Sequence, residues 1–338
     1  MENYVTTFPV AQMPLIDFAD AEEVTVSNPT PIFRPENHFI EGNSVEVTME
    51  HLINDCITPV FSKDNELVIS HPAFIQTVEE ATKDFFRGEV VNSPIIRVSH
   101  QIKGRVPSAI HKPANQLLES DRTIYYERAC FSIDVPTIYQ DVNGNRLYLS
   151  VVGVRAFNLQ NLHSKKVPEL FKVAIGFKNS VCSNLCIFTD GYRDELRVSS
   201  TRELYQRVLQ LFGQFNPGKQ IHLMQQLGNS SLSQHQFCQL IGKMRLYQQL
   251  PTRLQKDIPP LLLTDTQITN VARSYITDEN FSSYGADINC WKLYNLLNAS
   301  AKSSYVDSFL DRTVNATEVA LGINDALHGG ERYRWFLD

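Results

Sequence analysis

The residues that come nearest to a chemical motif are Gly213-Gln-Phe-Asn-Pro-Gly218-Lys219-Gln220. They fit the spacing G-x-x-x-x-G-K but place Gln where a phosphate-binding loop needs Ser or Thr to hold magnesium. The segment also follows an amphipathic helical pattern rather than a strand, and Pro217 removes one of the backbone N–H groups that would cradle phosphate. It reads as a turn between helices. Cys182-Ser-Asn-Leu-Cys186 is a close cysteine pair, but zinc would need a second pair or two histidines at short spacing. His163 and His222 stand isolated, and His235 with Cys238, one turn apart, read as packing. Asp134 and Asp190 are two carboxylates that could meet in space, which sequence cannot show. Neither G-x-S-x-G nor H-E-x-x-H occurs. The expectation is a non-enzymatic protein with no catalytic residues, no metal and no cofactor.

Charge is distributed more tellingly. The chain has 338 residues, a formal net charge of −6, 43% hydrophobic and 20% charged residues, ordinary values for a soluble globular protein. Residues 1–50 hold nine acids and one base, so the front carries −8 and the remainder +2. Between Glu203 and Asp257 lie 53 residues without an acid, containing Arg207, Lys219, Lys243, Arg245, Arg253 and Lys256 together with twelve glutamines. A second acid-free run, Val90 to Leu118, holds Arg97, Lys103, Arg105 and Lys112. Bases without neighbouring acids, interspersed with amides, suit a phosphate backbone: cations displace condensed counterions and amides add neutral hydrogen bonds. Tyr125 and Tyr126, with Arg128 on the same strand, would offer stacking faces to single-stranded bases. The candidate nucleic-acid contacts are therefore Arg97, Lys103, Arg105, Lys112, Tyr125, Tyr126, Arg128, Lys219, Lys243 and Arg245.

The elements that must position these residues are legible from periodicity. Residues 1–45 mix acids with Pro9, Pro14, Pro29, Pro31 and Pro35 and read as an extended arm, lying over the body or held for a partner. Residues 46–200 form a sheet region. Pro72 to Phe86 has helical spacing, and Ile95-Ile96-Arg97-Val98 is a short strand. Thr123 to Ile133 alternates with Tyr125, Ala129, Phe131 and Ile133 on one side and Ile124, Tyr126, Arg128 and Cys130 on the other. Asn143-Gly144 predicts a type I′ hairpin turn into Arg146–Phe157, and Phe171–Phe177 and Leu185–Thr189 read as further strands. In residues 201–338 the period changes to 3.6. Helices are expected at Ser200–Phe215, Gln220–Leu227, Ser233–Tyr247, Asp265–Tyr275, Asn289–Asn298 and Tyr305–Leu327, with capping boxes at Ser200/Glu203 and Thr264/Gln267. The fold class is α+β: an antiparallel β-sheet region with flanking helices followed by a helical C-terminal half packed on it. Trp291, Tyr294, Tyr305, Phe309, Trp335 and Phe336 read as core anchors.

Three blocks resemble one family. The first is Ile96-Arg97-Val98-Ser99-His100 with Ile102-Lys103-Gly104-Arg105, Lys112-Pro113-Ala114-Asn115 and Thr123 to Arg128. The second runs through Gly176-Phe177-Lys178-Asn179, Val181-Cys182, Asn184-Leu185-Cys186 and Thr189-Asp190-Gly191. The third comprises Asn289, Trp291, Leu293-Tyr294-Asn295, Lys302 to Tyr305, Asp307 to Arg312 and Trp335-Phe336-Leu337. They are similar to a domain-of-unknown-function family of gut anaerobic bacteria and their phages, plasmids and conjugative elements, over roughly residues 30–338. Asn289-x-Trp-x-Leu-Tyr-Asn and the closing Trp-Phe resemble, more loosely, the phage/plasmid-like proteins. The resemblance implies a mobile-element setting and carries no activity, cofactor or catalytic residue.

Taken together, the expected function is binding of nucleic acid, chiefly single-stranded DNA, as an accessory to replication, recombination or transfer of a mobile element. The alternatives are a protein-interaction or host-modulating factor that engages a host or mobile-element protein, and a metal-dependent hydrolase or nuclease. With no basic, apolar leader, no run of about 18 apolar residues and six scattered cysteines, the sequence reads as a cytoplasmic protein without a membrane partner.

Overall fold

The computed structural model describes residues 38–57, 68–160 and 168–338. Most of the predicted acidic arm, residues 1–37, lies outside them. Seven strands build one antiparallel sheet: β1 (Val45–Val47), β2 (Ile95–Arg105), β3 (Arg122–Val142), β4 (Asn145–Ala156), β5 (Glu169–Asn179), β6 (Leu185–Cys186) and β7 (Tyr192–Val198). They are ordered β1-β2-β3-β4-β5-β6, with β7 also pairing with β5. The β3–β4 hairpin turns at Asn143 (φ 49°) and Gly144 (φ 81°), both left-handed as a type I′ turn requires.

Strands run longer than alternation in the sequence reveals. β3 passes straight through Pro136, which cannot donate to a ladder; a register shift against β4 between Val135 and Tyr139 absorbs it. β2 continues past His100, whose φ of 56° kinks the strand. Tyr126, expected on the side of Arg128 and Cys130, instead joins the cluster of Ala129, Phe131 and Ile133. The strand expected at Leu185–Thr189 shrinks to β6, followed by a 3-10 turn at Thr189–Gly191.

Both sheet faces are buried. One packs Phe131, Ile133, Leu149, Val151, Phe171 and Val173 under α2 (His71–Phe85) and α3 (Thr201–Gln214). Phe74 of α2 sits between Phe131 and Phe171, with ring centroids at 5.1 and 4.6 Å. The other helices are α1 (Met49–Asn54), α4 (Pro217–Gln226), α5 (Gln234–Gln249), α6 (Thr252–Gln255), α7 (Asp265–Thr277), α8 (Cys290–Ala301) and α9 (Val306–Leu327). A small ladder, β8 (Ser231–Leu232) with β9 (Ile288–Asn289), ties the start of α5 to the start of α8. The second sheet face presents Cys130, Val152, Val154 and Ala174 to Val306, Phe309, Leu310 and Val314 of α9 and to Phe39 and Ile40. The described end of the arm is thus part of the core. Glu41 and Gly42 both donate their backbone N–H to the Lys302 carbonyl, so closely that a Cβ on Gly42 would meet the Ser304 carbonyl oxygen at 2.2 Å.

The helix starts follow the sequence signals. At α7, Gln267 N–H donates to Thr264 Oγ1 and Thr264 N–H to Gln267 Oε1, the full capping box. At α3 the Glu203 N–H donates to Ser200 Oγ, but the return bond comes from Ser199 N–H, one residue early. α5 has a capping box of its own, Ser233 with Gln236.

The first residue of α2 is a buried histidine with a defined ionisation. The His71 Nε2–H donates to the Tyr126 carbonyl at 2.8 Å, leaving Nδ1 bare, buried and unpartnered. Burial first, and then the Arg155 guanidinium, lower its pKa from 6.5 to about 3. Between those values the unfolded chain takes up a proton that the folded one refuses, so stability falls as pH drops. From pH 7.5 to 5 the protein should lose about 2 kcal/mol more than its His71→Gln variant, read from urea unfolding at the two pH values.

Candidate functional site

The predicted nucleic-acid contacts divide into those that face solvent and those the fold uses internally. Arg97 is buried: its Nε donates to Ser44 Oγ (3.0 Å) and its NH2 to the Ser44 carbonyl (2.7 Å), stapling β1 to β2. Tyr126 is buried with its hydroxyl 3.1 Å from His51 Nε2, and Tyr125 packs edge-on to Phe157. Arg128 lies 3.5 Å from both Glu127 and Asp307 and over the Tyr305 ring. Arg105 donates to the Lys112 carbonyl, and Lys112 Nζ grips both Asp121 oxygens at 2.7 and 2.8 Å. That ammonium holds the Asp121 carboxyl below its usual range. Arg245 pairs with Asp265 through two bonds, 2.9 and 3.2 Å, and Lys243 sits 4.8 Å over the Trp335 ring.

Lys103 and Lys219 remain exposed with no ion pair among the described residues. They are not neighbours. Lys103 lies at the end of β2 that pairs with the start of β3, whereas α4, which carries Lys219, packs near the far end of β3, where the Asn143 amide donates to the Met224 carbonyl. The two acid-free segments therefore do not line one groove with Tyr125 and Tyr126.

Several of the remaining sequence candidates have structural partners, whereas His235 and Cys238, expected to pack, are exposed. Gly213 lies in the last turn of α3, and Asn216 caps α4 by accepting from Lys219 N–H at 3.0 Å, so the G-x-x-x-x-G-K segment is a helix–helix turn. Cys182 and Cys186 are buried thiols, pushed up to about 11 and about 12 by burial. Asp134 pairs with Lys178, while Asp190 accepts from Gln220 Nε2 at 2.7 Å. His222 lies against Gln226, and His163 falls outside the described residues. No group of three His, Cys, Asp or Glu among the described residues is placed to hold a metal.

Two constellations had no sequence signal, because their members meet only in space or across a chain turn. At the end of α1, Asp55 Oδ2 lies 2.8 Å from His51 Nδ1, while His51 Nε2 faces Tyr126 Oη (3.1 Å) and Cys56 Sγ (3.5 Å). The order carboxylate–imidazole–thiol suits a nucleophile. However, burial and then the Asp55 charge push the Cys56 thiol up to about 11, and Tyr126 competes for the same ring nitrogen. The cluster fastens α1 to β3. The second constellation is Ser230 and His328, 98 residues apart, on the wall of a cavity of about 460 Å³ between α4 and α9.

No described helix is long and apolar enough to cross a membrane. No curated protein and no solved structure matches the chain. A family model does: the one described as "Domain of unknown function, B. Theta Gene description (DUF3871)" matches residues 20–337, and the chain belongs to that family.

Proposed function

We propose that the protein binds nucleic acid, chiefly single strands, as an accessory factor, a role that needs no catalysis. One observation carries the reading. Within the 53 residues that lack an acid, Lys219, Arg253 and Lys256 stay exposed and without an ion-pair partner among the described residues. Arg207 and Arg245 in the same segment, like Arg146 and Lys83 outside it, are matched by nearby acids. An unmatched cation is worth little to folding and much to a polyanion, where each neutralised phosphate releases a condensed counterion. Gln225, Gln226 and Gln249 add exposed amides beside these bases. This reading looks for the binding residues in the helical half and leaves out Arg97, Tyr126 and Arg128, which the fold engages. The resemblance to proteins of phages, plasmids and conjugative elements supports a role in replication, recombination or transfer.

The test is binding of single- and double-stranded DNA across a salt series. Association should weaken as salt rises. Lys219→Glu/Arg253→Glu/Lys256→Glu should weaken it at least about 10-fold and flatten the salt slope by about one unit for each phosphate no longer neutralised. Removing residues 1–37, which are acidic, should strengthen it; the cut stops there because Phe39 and Ile40 belong to the core. Absence of binding at about 50 mM salt would overturn the reading, since the counterion effect is largest there.

A further inference from the structure

The Ser230–His328 pair is built like a nucleophile and its base. His328 follows the last turn of α9, and its Nδ1 lies 2.7 Å from the Asn324 carbonyl. A carbonyl only accepts, so Nδ1 carries the hydrogen and, in the neutral ring, Nε2 is a bare lone pair. That lone pair faces Ser230 Oγ at 3.5 Å, a separation typical of unliganded sites that tighten on binding substrate. Ser230 itself is held in place: its carbonyl accepts the Cys290 N–H at 2.8 Å, and Ser231 beside it enters the β8–β9 ladder. Orienting carbonyl, imidazole and hydroxyl thus form the chain of groups that activates a serine.

The surroundings match. The cavity of about 460 Å³ lies within the range of small-ligand sites, with Leu223 and Leu321 as apolar wall. Asn324 lines the same cavity, and its side-chain oxygen is buried with no hydrogen-bond partner. An unpaired buried carbonyl oxygen costs stability unless a donor completes it, which a bound water or the leaving alcohol's hydroxyl supplies. Asp325, also on the wall, disfavours an anionic ligand.

We infer that this cavity hydrolyses small uncharged carboxylic esters, an activity separate from nucleic-acid binding. Ser230 Oγ forms a bond to the ester carbonyl carbon while its proton passes to His328 Nε2. The C–O bond to the alcohol breaks, and the leaving oxygen takes that proton. Water then gives a proton to Nε2 and adds to the acyl carbon, the carboxylic acid departs, and the proton returns to Ser230 Oγ.

A neutral alkyl fluorophosphonate tests this on the full chain, since Ser230 Oγ would displace fluoride and keep the phosphoryl group. Peptide mass mapping should find the label on Ser230, and the protein should hydrolyse p-nitrophenyl butyrate. His328→Gln should slow both by at least about 100-fold, as loss of a general base does, with far-UV dichroism unchanged. Folded wild-type protein whose Ser230 stays unlabelled would overturn the inference, and so would labelling that His328→Gln leaves unaltered. Either result would mean that the pair merely pins α9 to the strand before α5.

Discussion

Lys178→Met is expected to destabilise the fold by about 3–5 kcal/mol, because it strands a carboxylate inside the sheet. Lys178 Nζ reaches both Asp134 oxygens at 3.2 and 2.9 Å, and both side chains are nearly excluded from solvent. The Ser132 and Ser150 hydroxyls also donate to Asp134 Oδ1, at 3.0 and 2.8 Å, and the Phe39 ring lies beside the ammonium. That the pocket is dry shows in Tyr148, whose phenol is pushed up by burial first and the Asp134 charge second. Removing both charges, in Lys178→Met/Asp134→Leu, should restore most of the loss, since the pair's attraction largely offsets its own desolvation. Released from Asp134, one serine hydroxyl is free to donate to the other, 3.0 Å away. Urea unfolding of both variants decides. A single-variant cost below about 1 kcal/mol would mean that the pair behaves as a surface ion pair, open to water.

Trp291→Ala should cost about 3–5 kcal/mol, the range for emptying a large aromatic site. Trp291 is 2% exposed, packs on Tyr294 and donates its Nε1–H to Asn145 Oδ1 at 2.8 Å. Asn145 follows the hairpin turn directly, so this side chain fastens α8 to the tip of the sheet. Asn143, on the other side of that tip, is held by the Met224 carbonyl of α4. Trp291→Phe separates the two contributions: it keeps much of the ring and loses the hydrogen bond, for about 1–2 kcal/mol. Equal losses for Ala and Phe, measured by chemical unfolding, would assign the whole effect to the bond to Asn145.

What the sequence disclosed was local. Asn143-Gly144 announced its turn because few residues adopt positive φ twice in succession. Thr264 with Gln267 announced a helix start because both bonds lie within four residues. The burial of Tyr126 beside the Phe131 cluster was hidden because its hydroxyl's partner, His51, comes from α1, 75 residues away along the chain. β7 was hidden because Arg193, Asp194, Glu195 and Arg197 outweigh Leu196 and Val198 in so short a run. The candidate interface failed to gather for a related reason. A segment free of acids along the chain is not free of them in space: Asp265 lies 20 residues from Arg245, and Asp307 comes from α9 to meet Arg128. Charge runs predicted which bases lack sequence neighbours, and only packing chose which of them keep that freedom.

The two-sided cover of the sheet has a consequence for the chain as it is made. α2 precedes the main strands, but α9, which closes the second face, begins roughly a hundred residues after β7 ends. At about 5–20 residues per second, some 5–20 s of synthesis separate the last strand from its cover. During that interval Cys130, Val152, Val154 and Ala174 have no helix to lie against. Packing of that face therefore waits on the final third of the chain, and a nascent polypeptide stalled before α9 offers its sheet to neighbouring chains instead.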